Sequence, residues 1–303
     1  MNIIFNELST NILKLGFNID SILFQSKDAC VFWGKNNIVN IQSAAKTITS
    51  IAFGIAYSQY QLDLDEPIIS FFPEYRKTAP LATENIKLID LLHMQSGKKL
   101  QSLLSKPGEE DWLAWFFDAP IDCIPGTQFY YSSHCCYVIG RLIERLCGQD
   151  INDYLEKKLW DPLKIKKPIW SKCPQGYTIC AGNLLMSCED LSKIGNLLLN
   201  KGVYNGISIC PTDYISLMTN SIVDSNDPFL WNDKECRNGY GFFIWKCSSP
   251  NTFCAWGAGG TFCVVDYKKE CVITITAFKD DNWLRMNDHI ILIEVFEFLS
   301  KIR

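Results

Sequence analysis

Apolar residues recur at helical spacing along the stretch Gln42 to Ala56, at Ile48, Ile51, Ala52, Ile55 and Ala56. The pattern predicts a mostly buried helix that fades at Tyr57-Ser58-Gln59. Similar patterns predict a short amphipathic helix from Asn6 to Leu15 and another from Ile86 to Met94, stopped at Ser96-Gly97. Further helices are expected from Cys135 to Cys147, from Ile151 to Leu159 behind Asp150, and from Thr212 to Asn220. Ser187-Cys188-Glu189-Asp190 reads as a capping box opening a helix from Leu191 to Asn200. Near both ends the period drops to two. Ser21 to Phe24 and Ala29 to Trp33 read as strands, as do Tyr240 to Cys247, Phe253 to Trp256, Thr261 to Tyr267 and Cys271 to Phe278. A helix from Trp283 to Lys301 is expected to close the chain.

Strands at both ends with helices between them predict an α+β fold. One sheet is assembled from both termini, and a helical lobe is inserted in the middle. A single domain over residues 1–303 is expected, with a sheet lobe from about 1–42 and 235–303 and a helical lobe over about 43–234. Composition narrows the class. Of 303 residues, 48% are apolar and 20% charged, the balance of an ordinary globular protein. Net charge is −4 with no basic tract, so nucleic acid is not an expected partner. No apolar run is long enough to span a bilayer, and no cationic leader opens the chain. The 14 cysteines are scattered through apolar runs, which suits buried free thiols in a reducing, cytoplasmic setting. No C-x-x-C occurs, so no metal site is expected. His93, His134 and His289 are too scattered for a Ser-His-Asp site.

The candidate chemistry starts at Ser43 and Lys46. A spacing of three places both side chains on one helical face, one turn apart. A serine hydroxyl is a weak nucleophile that needs a neighbouring base, and a buried lysine can serve as one. The helix start adds free N–H groups and a positive dipole end. The bland alternative is a serine cap followed by a solvated lysine. The apolar run beyond Lys46 argues against a wet face. The Asp111 to Phe117 cluster reads as packing, with a pocket mouth as its alternative.

Three pieces stand in order: Ser43-Ala44-Ala45-Lys46, Tyr131-Ser132-Ser133, and Trp256-Gly257-Ala258-Gly259-Gly260. Together with Leu91-Leu92-His93-Met94-Gln95-Ser96-Gly97 and Leu159-Trp160-Asp161-Pro162-Leu163, they resemble the serine β-lactamase and penicillin-binding-protein superfamily. The match is nearest to its class C-like esterases and amide hydrolases, and it runs from about Asp20 to Phe278. The resemblance implies a β-lactamase/transpeptidase-like fold and an acyl-enzyme on Ser43. It implies Lys46 as proton acceptor, Tyr131 as its partner, and Ser133 in support. The backbone N–H groups of Ser43 and Gly260 would form the oxyanion hole. Trp256, Gly257, Ala258 and Gly259 would make the third-motif strand and pocket. For Tyr131 the alternative is a core aromatic, for the glycine run a turn, and for Trp256 strand packing.

Two positions depart from the family pattern. Ser133 stands where asparagine is common, and Gly257 stands where lysine or histidine is common. No cofactor is implied, and the expected partner is a small ester or amide. A non-catalytic scaffold of the same fold is the second reading. A penicillin-sensitive D-Ala-D-Ala carboxypeptidase or β-lactamase is the third.

Overall fold

The structure is a computed structural model and describes residues 1–100, 110–226, 235–279 and 287–302. In chain order the first elements are α1 (Asn2–Lys14), β1 (Ile19–Ser26), β2 (Cys30–Gly34), β3 (Val39–Asn40), α2 (Ala45–Tyr60), α3 (Leu88–Leu92) and α4 (Trp112–Asp118). Then come α5 (Ser133–Cys147), α6 (Ile151–Leu155), β4 (Leu185–Met186), α7 (Cys188–Leu199), β5 (Val203–Tyr204), β6 (Ile207–Ser208) and α8 (Thr212–Asn220). The chain ends with β7 (Trp245–Lys246), β8 (Thr252–Gly257), β9 (Thr261–Asp266), β10 (Cys271–Ala277) and α9 (Ile290–Lys301).

The six-stranded sheet has the order β2-β1-β10-β9-β8-β7, and all its pairs are antiparallel. The two ends of the chain meet where β1 pairs β10, with Phe24 opposite Ile273. Alternation gives each face its own set of side chains. Trp256, Phe262, Ile275 and Ile22 are successive cross-strand neighbours on one face. That face carries α1 and α9, with Phe24 edge-on to Phe298 at 5.2 Å. On the other face lies α7, where Cys263 Sγ reaches the Leu191 carbonyl. Gly195 allows this approach: a Cβ there would stand 2.6 Å from Cys263 Sγ.

α2 runs through the middle of the molecule, and every residue from Ala45 to Ala56 is buried. Its few polar side chains are spoken for. Thr47 donates to the Phe243 carbonyl and Thr49 to the Cys180 carbonyl. Ser50 bonds the Tyr214 hydroxyl at 3.0 Å. Buried hydroxyls cost little when paired in this way.

Several elements differ from the sequence reading, each for a local reason. The helix expected from Leu191 starts at Cys188, because the Ser187 hydroxyl caps it by accepting from Asp190 N–H. The strand expected over Tyr240 to Cys247 shrinks to Trp245–Lys246. Phe243 has φ 53°, and Gly241 N–H turns back to the Ile244 carbonyl, which breaks the extended run. Part of the closing helix expected from Trp283 lies outside the described residues, and the observed helix begins at Ile290. The Asp111 to Phe117 cluster is packing: Trp112, Leu113, Phe116 and Phe117 are buried.

One buried cation sits away from Ser43. Lys98 is fully buried and donates to Thr83 Oγ1 and to the Phe117 and Ala119 carbonyls at the end of α4. Burial pushes its ammonium down to about 8, against the raising effect of Asp118 and Asp122. A base held below its usual 10.5 binds fewer protons folded than unfolded. Between those two values stability therefore rises with pH, by up to about 3 kcal/mol. Urea unfolding at about pH 7.5 and about pH 10 checks this. The wild type should gain stability relative to Lys98→Met as pH rises. Parallel changes in the two proteins would reject the assignment.

Candidate active site

The approach to Ser43 is built by backbone clamps. β3 pairs β4, with Val39 opposite Met186, and Ile41 N–H donates to the Leu184 carbonyl at 3.0 Å. Asn40 does two jobs. Its Oδ1 accepts from Gln42 N–H at 2.9 Å, and its Nδ2 donates to Asn183 Oδ1 at 3.0 Å. Gln42 is thereby held at φ 51°, a left-handed conformation uncommon outside glycine. A 3-10 turn over Gln42–Ala44 then leads into α2. Ser43 is half-buried at the head of this helix, and Ala44 and Ala45 behind it are fully buried.

Lys46 is 1% exposed, and its Nζ donates to Ser43 Oγ at 2.9 Å and to the Ala181 carbonyl at 2.7 Å. The solvated-lysine alternative is thus excluded. No carboxylate among the described residues pairs with it. Burial pushes the nearby Cys136 thiol up to about 12, against the lowering effect of Lys46, and keeps that thiol protonated beside it. The Ala181 carbonyl comes from a loop in which Cys180 and Asn183 both have positive φ. That partner lies 135 residues from Lys46 and has no side-chain signature.

Tyr131 arrives just before α5. Lys46 Nζ lies 5.0 Å from the centroid of its ring. The ring stacks on Trp245 at 5.4 Å with 23° between planes, and Tyr240 meets Tyr131 and Trp245 edge-on. Tyr131 therefore adjoins Lys46. Ser132 N–H approaches Met94 Sδ at 3.3 Å. Ser133 is half-buried as the first residue of α5, and no hydrogen bond joins it to Ser43 or Lys46 among the described residues.

The glycine run divides into three parts. Gly257 touches the segment ahead of Ser43: a Cβ built there would stand 2.1 Å from the Ile41 carbonyl oxygen and 3.3 Å from Gln42 Cβ. This position is a contact between two backbones, not an empty slot for a cation. Gly259 and Gly260 have φ 90° and 104° and form the turn into β9. The Cβ direction of Gly260 faces Ile291, Ala277 and Ile19, away from Gln42. Ala258 is half-buried between them. Cys247 N–H donates to the Thr252 carbonyl, so alternation turns the backbone groups of Cys254 and Trp256 toward the same rim of β8, and Ala258 follows in the turn at the end of that strand. Strand β7 covers that rim only as far as Trp245, opposite Cys254. Trp256 is 7% exposed on the α9 face, packed between Trp245 and Phe262, which is the strand-packing alternative.

His93 Nε2 bonds the Ser221 carbonyl oxygen at 2.9 Å. Burial pushes His134 down to about 4, against a raising backbone contact with Leu100, and its ring meets Trp115 edge-on. Among the described residues no group of three or more His, Cys, Asp or Glu could hold a metal ion, and no helix is long and apolar enough to cross a membrane.

Known proteins show the same frame. The Beta-lactamase family matches residues 23–293. The N-acetylmuramyl-L-alanine amidase of Bacillus subtilis (strain 168) is 22% identical over 278 residues, covering 72% of this chain and 62% of that protein. The chain spans 62% of that amidase and of penicillin-binding protein 4 from Amycolatopsis lactamdurans alike. Among solved structures, the D-amino acid amidase from Ochrobactrum anthropi SV3 superposes with a TM-score of 0.73 at 13% identity, covering 99% of this chain and 98% of that one. The octameric penicillin-binding protein homologue from Pyrococcus abyssi gives a TM-score of 0.73 at 19% identity, covering 99% and 78%. These likenesses extend the fold over nearly the whole chain, and with the match over residues 23–293 this chain belongs to the Beta-lactamase family of hydrolases.

Proposed function

We propose that this chain is a serine hydrolase that cleaves a small ester or amide through an acyl-enzyme on Ser43. The observation that carries the reading is the 2.9 Å bond between Lys46 Nζ and Ser43 Oγ inside a buried helix start. Lys46 takes the hydroxyl proton as Ser43 attacks the carbonyl carbon. Tyr131, whose ring lies against Lys46, passes that proton to the leaving group. Water then attacks the ester on Ser43, and the proton returns along the same path. The developing oxyanion is held by backbone N–H groups. Ser43 supplies one. We assign the second to Ala258, the residue that follows the open rim of β8 and adjoins the Gly257 contact, in preference to Gly260. Ser133 lines the second motif without a bond to either catalytic side chain.

A carboxylate-bearing substrate gains roughly 1.5–3 kcal/mol from a charged hydrogen-bond partner. Gly257 offers no side chain, and its Cβ slot is filled by the Ile41 carbonyl. Neutral short-chain esters and amides are therefore the preferred class, ahead of penicillins and cephalosporins. The reading extends to a cytoplasmic setting, where the 14 cysteines, all free, would stay reduced.

Intact-mass spectrometry after a fluorophosphonate probe tests the nucleophile. One adduct is expected on the wild type and none on Ser43→Ala. Turnover of p-nitrophenyl butyrate should fall at least about a thousandfold in that variant. Labelling of Ser50, Ser132 or Ser133 instead would overturn the assignment. A kcat/KM for nitrocefin above that for p-nitrophenyl butyrate would overturn the substrate class.

A further inference from the structure

The turn that follows β8 is braced from outside the sheet. Asp288 lies two residues ahead of α9. Its Oδ2 accepts from Gly259 N–H at 3.0 Å and from the Trp256 indole N–H at 3.2 Å. Its carbonyl meanwhile starts the helix by accepting from Ile291 N–H at 3.0 Å. The residue thus serves α9 through its backbone and β8 through its side chain.

Such a brace matters here because the turn has little of its own. Gly259 and Gly260 sit consecutively at positive φ, where glycine has the most freedom to lose. Neither has a side chain to pack. A carboxylate accepting two N–H bonds makes charge-assisted contacts, which are stronger than neutral ones. It grips the turn at Gly259 and the strand at Trp256, on either side of Gly257 and Ala258. The contact continues inward. Trp256 meets Trp245 at 6.0 Å, Trp245 stacks on Tyr131, and the Tyr131 ring lies over Lys46 Nζ.

We infer that Asp288 is a positioning residue for acyl transfer: it fixes the Ala258–Gly260 turn and so the backbone donor that faces Ser43. The inference rests on the serine-hydrolase reading above. A donor aimed at an oxyanion acts on the transition state and not on the bound ester. Displacing it slows chemistry and leaves substrate affinity nearly unchanged.

The test uses the full chain with Asp288→Ala and Asp288→Asn. Asparagine keeps a neutral acceptor of the same shape; alanine removes it. Asp288→Ala should lower kcat for p-nitrophenyl butyrate, and the rate of fluorophosphonate labelling, by about 10–100-fold with KM within about twofold. Asp288→Asn should recover most of that loss. Hydrogen exchange at the Gly259 amide and the Trp256 indole N–H should quicken in Asp288→Ala. Wild-type kcat in Asp288→Ala, or a loss of kcat that tracks a lower Tm and is not recovered by asparagine, would overturn the inference. A wild type that is neither labelled nor active sinks the hydrolase reading. Unchanged exchange in Asp288→Ala sinks the brace alone.

Discussion

Lys46→Met and Tyr131→Phe should lose activity as one unit. Each is expected to lower kcat/KM substantially, Lys46→Met by about a thousandfold. The double variant should fall close to the worse single, far short of the product of the two losses. The reason lies in the geometry. Lys46 has one hydroxyl acceptor, Ser43, and one carbonyl, Ala181, and its open side is covered by the Tyr131 ring. In the proposed mechanism a proton leaving Ser43 passes through this pair. Removing either member breaks the path, and removing the second then costs little more. Methionine fills much of the lysine volume but leaves the Ala181 carbonyl without its donor, a cost of about 1–3 kcal/mol. Phenylalanine keeps the ring on Trp245 and deletes only the hydroxyl. Folding of both variants is checked by circular dichroism. Losses that multiply in the double variant would mean that the two residues act separately.

Gly257→Ala is the second large effect. One added methyl would meet the Ile41 carbonyl oxygen at 2.1 Å, well inside contact distance, and the obstacle is backbone on both sides. Either β8 or the Ile41–Gln42 segment must move. Gln42 already sits at φ 51° under the grip of Asn40, so the segment ahead of Ser43 has little slack. Overpacking of this kind costs about 1–3 kcal/mol of stability. A displacement near 1 Å at Ser43 costs about a hundredfold in rate. Both losses are expected, read by thermal unfolding and by kcat/KM for p-nitrophenyl butyrate. Gly257→Lys should do no better and should not create β-lactam turnover. A fully active Gly257→Ala would show that the two backbones are not held together.

How legible all this was from sequence depended on whether the cause was local. The α2 pattern read correctly because burial on all sides leaves an apolar run that needs no partner to be recognised. The Ser43–Lys46 contact followed from helical spacing alone. Ser187 announced its helix by residue type, although the start fell three residues early. The strand over Tyr240 to Cys247 misled, because aromatic residues favour strands while Phe243 is bent by its bond to the Leu92 carbonyl. Gly257 looked like a missing cation, since nothing in its neighbours reports a carbonyl from Ile41. Trp245 stacks on a tyrosine 114 residues earlier in the chain, and Asp288 falls inside the helix expected from Trp283, where nothing marks it as a partner of β8. Such contacts are made by topology, and a single chain carries no periodic trace of them.

The burial of α2 has a consequence for how the molecule opens. From Ala45 to Ala56 the helix has no solvent side, and this part cannot fray into water one turn at a time. Its amides from Ala45 to Ala56 are released only when elements on several sides separate together, so their exchange follows the global unfolding free energy. Lys46 sits on the first turn of that helix, with Ser43 in the 3-10 turn just ahead of it. Heat should therefore remove catalysis and structure in the same transition, with no inactive but folded stage between them. A piece of the chain cut on either side of α2 would leave an apolar cylinder wet on every face, a species that associates before it folds.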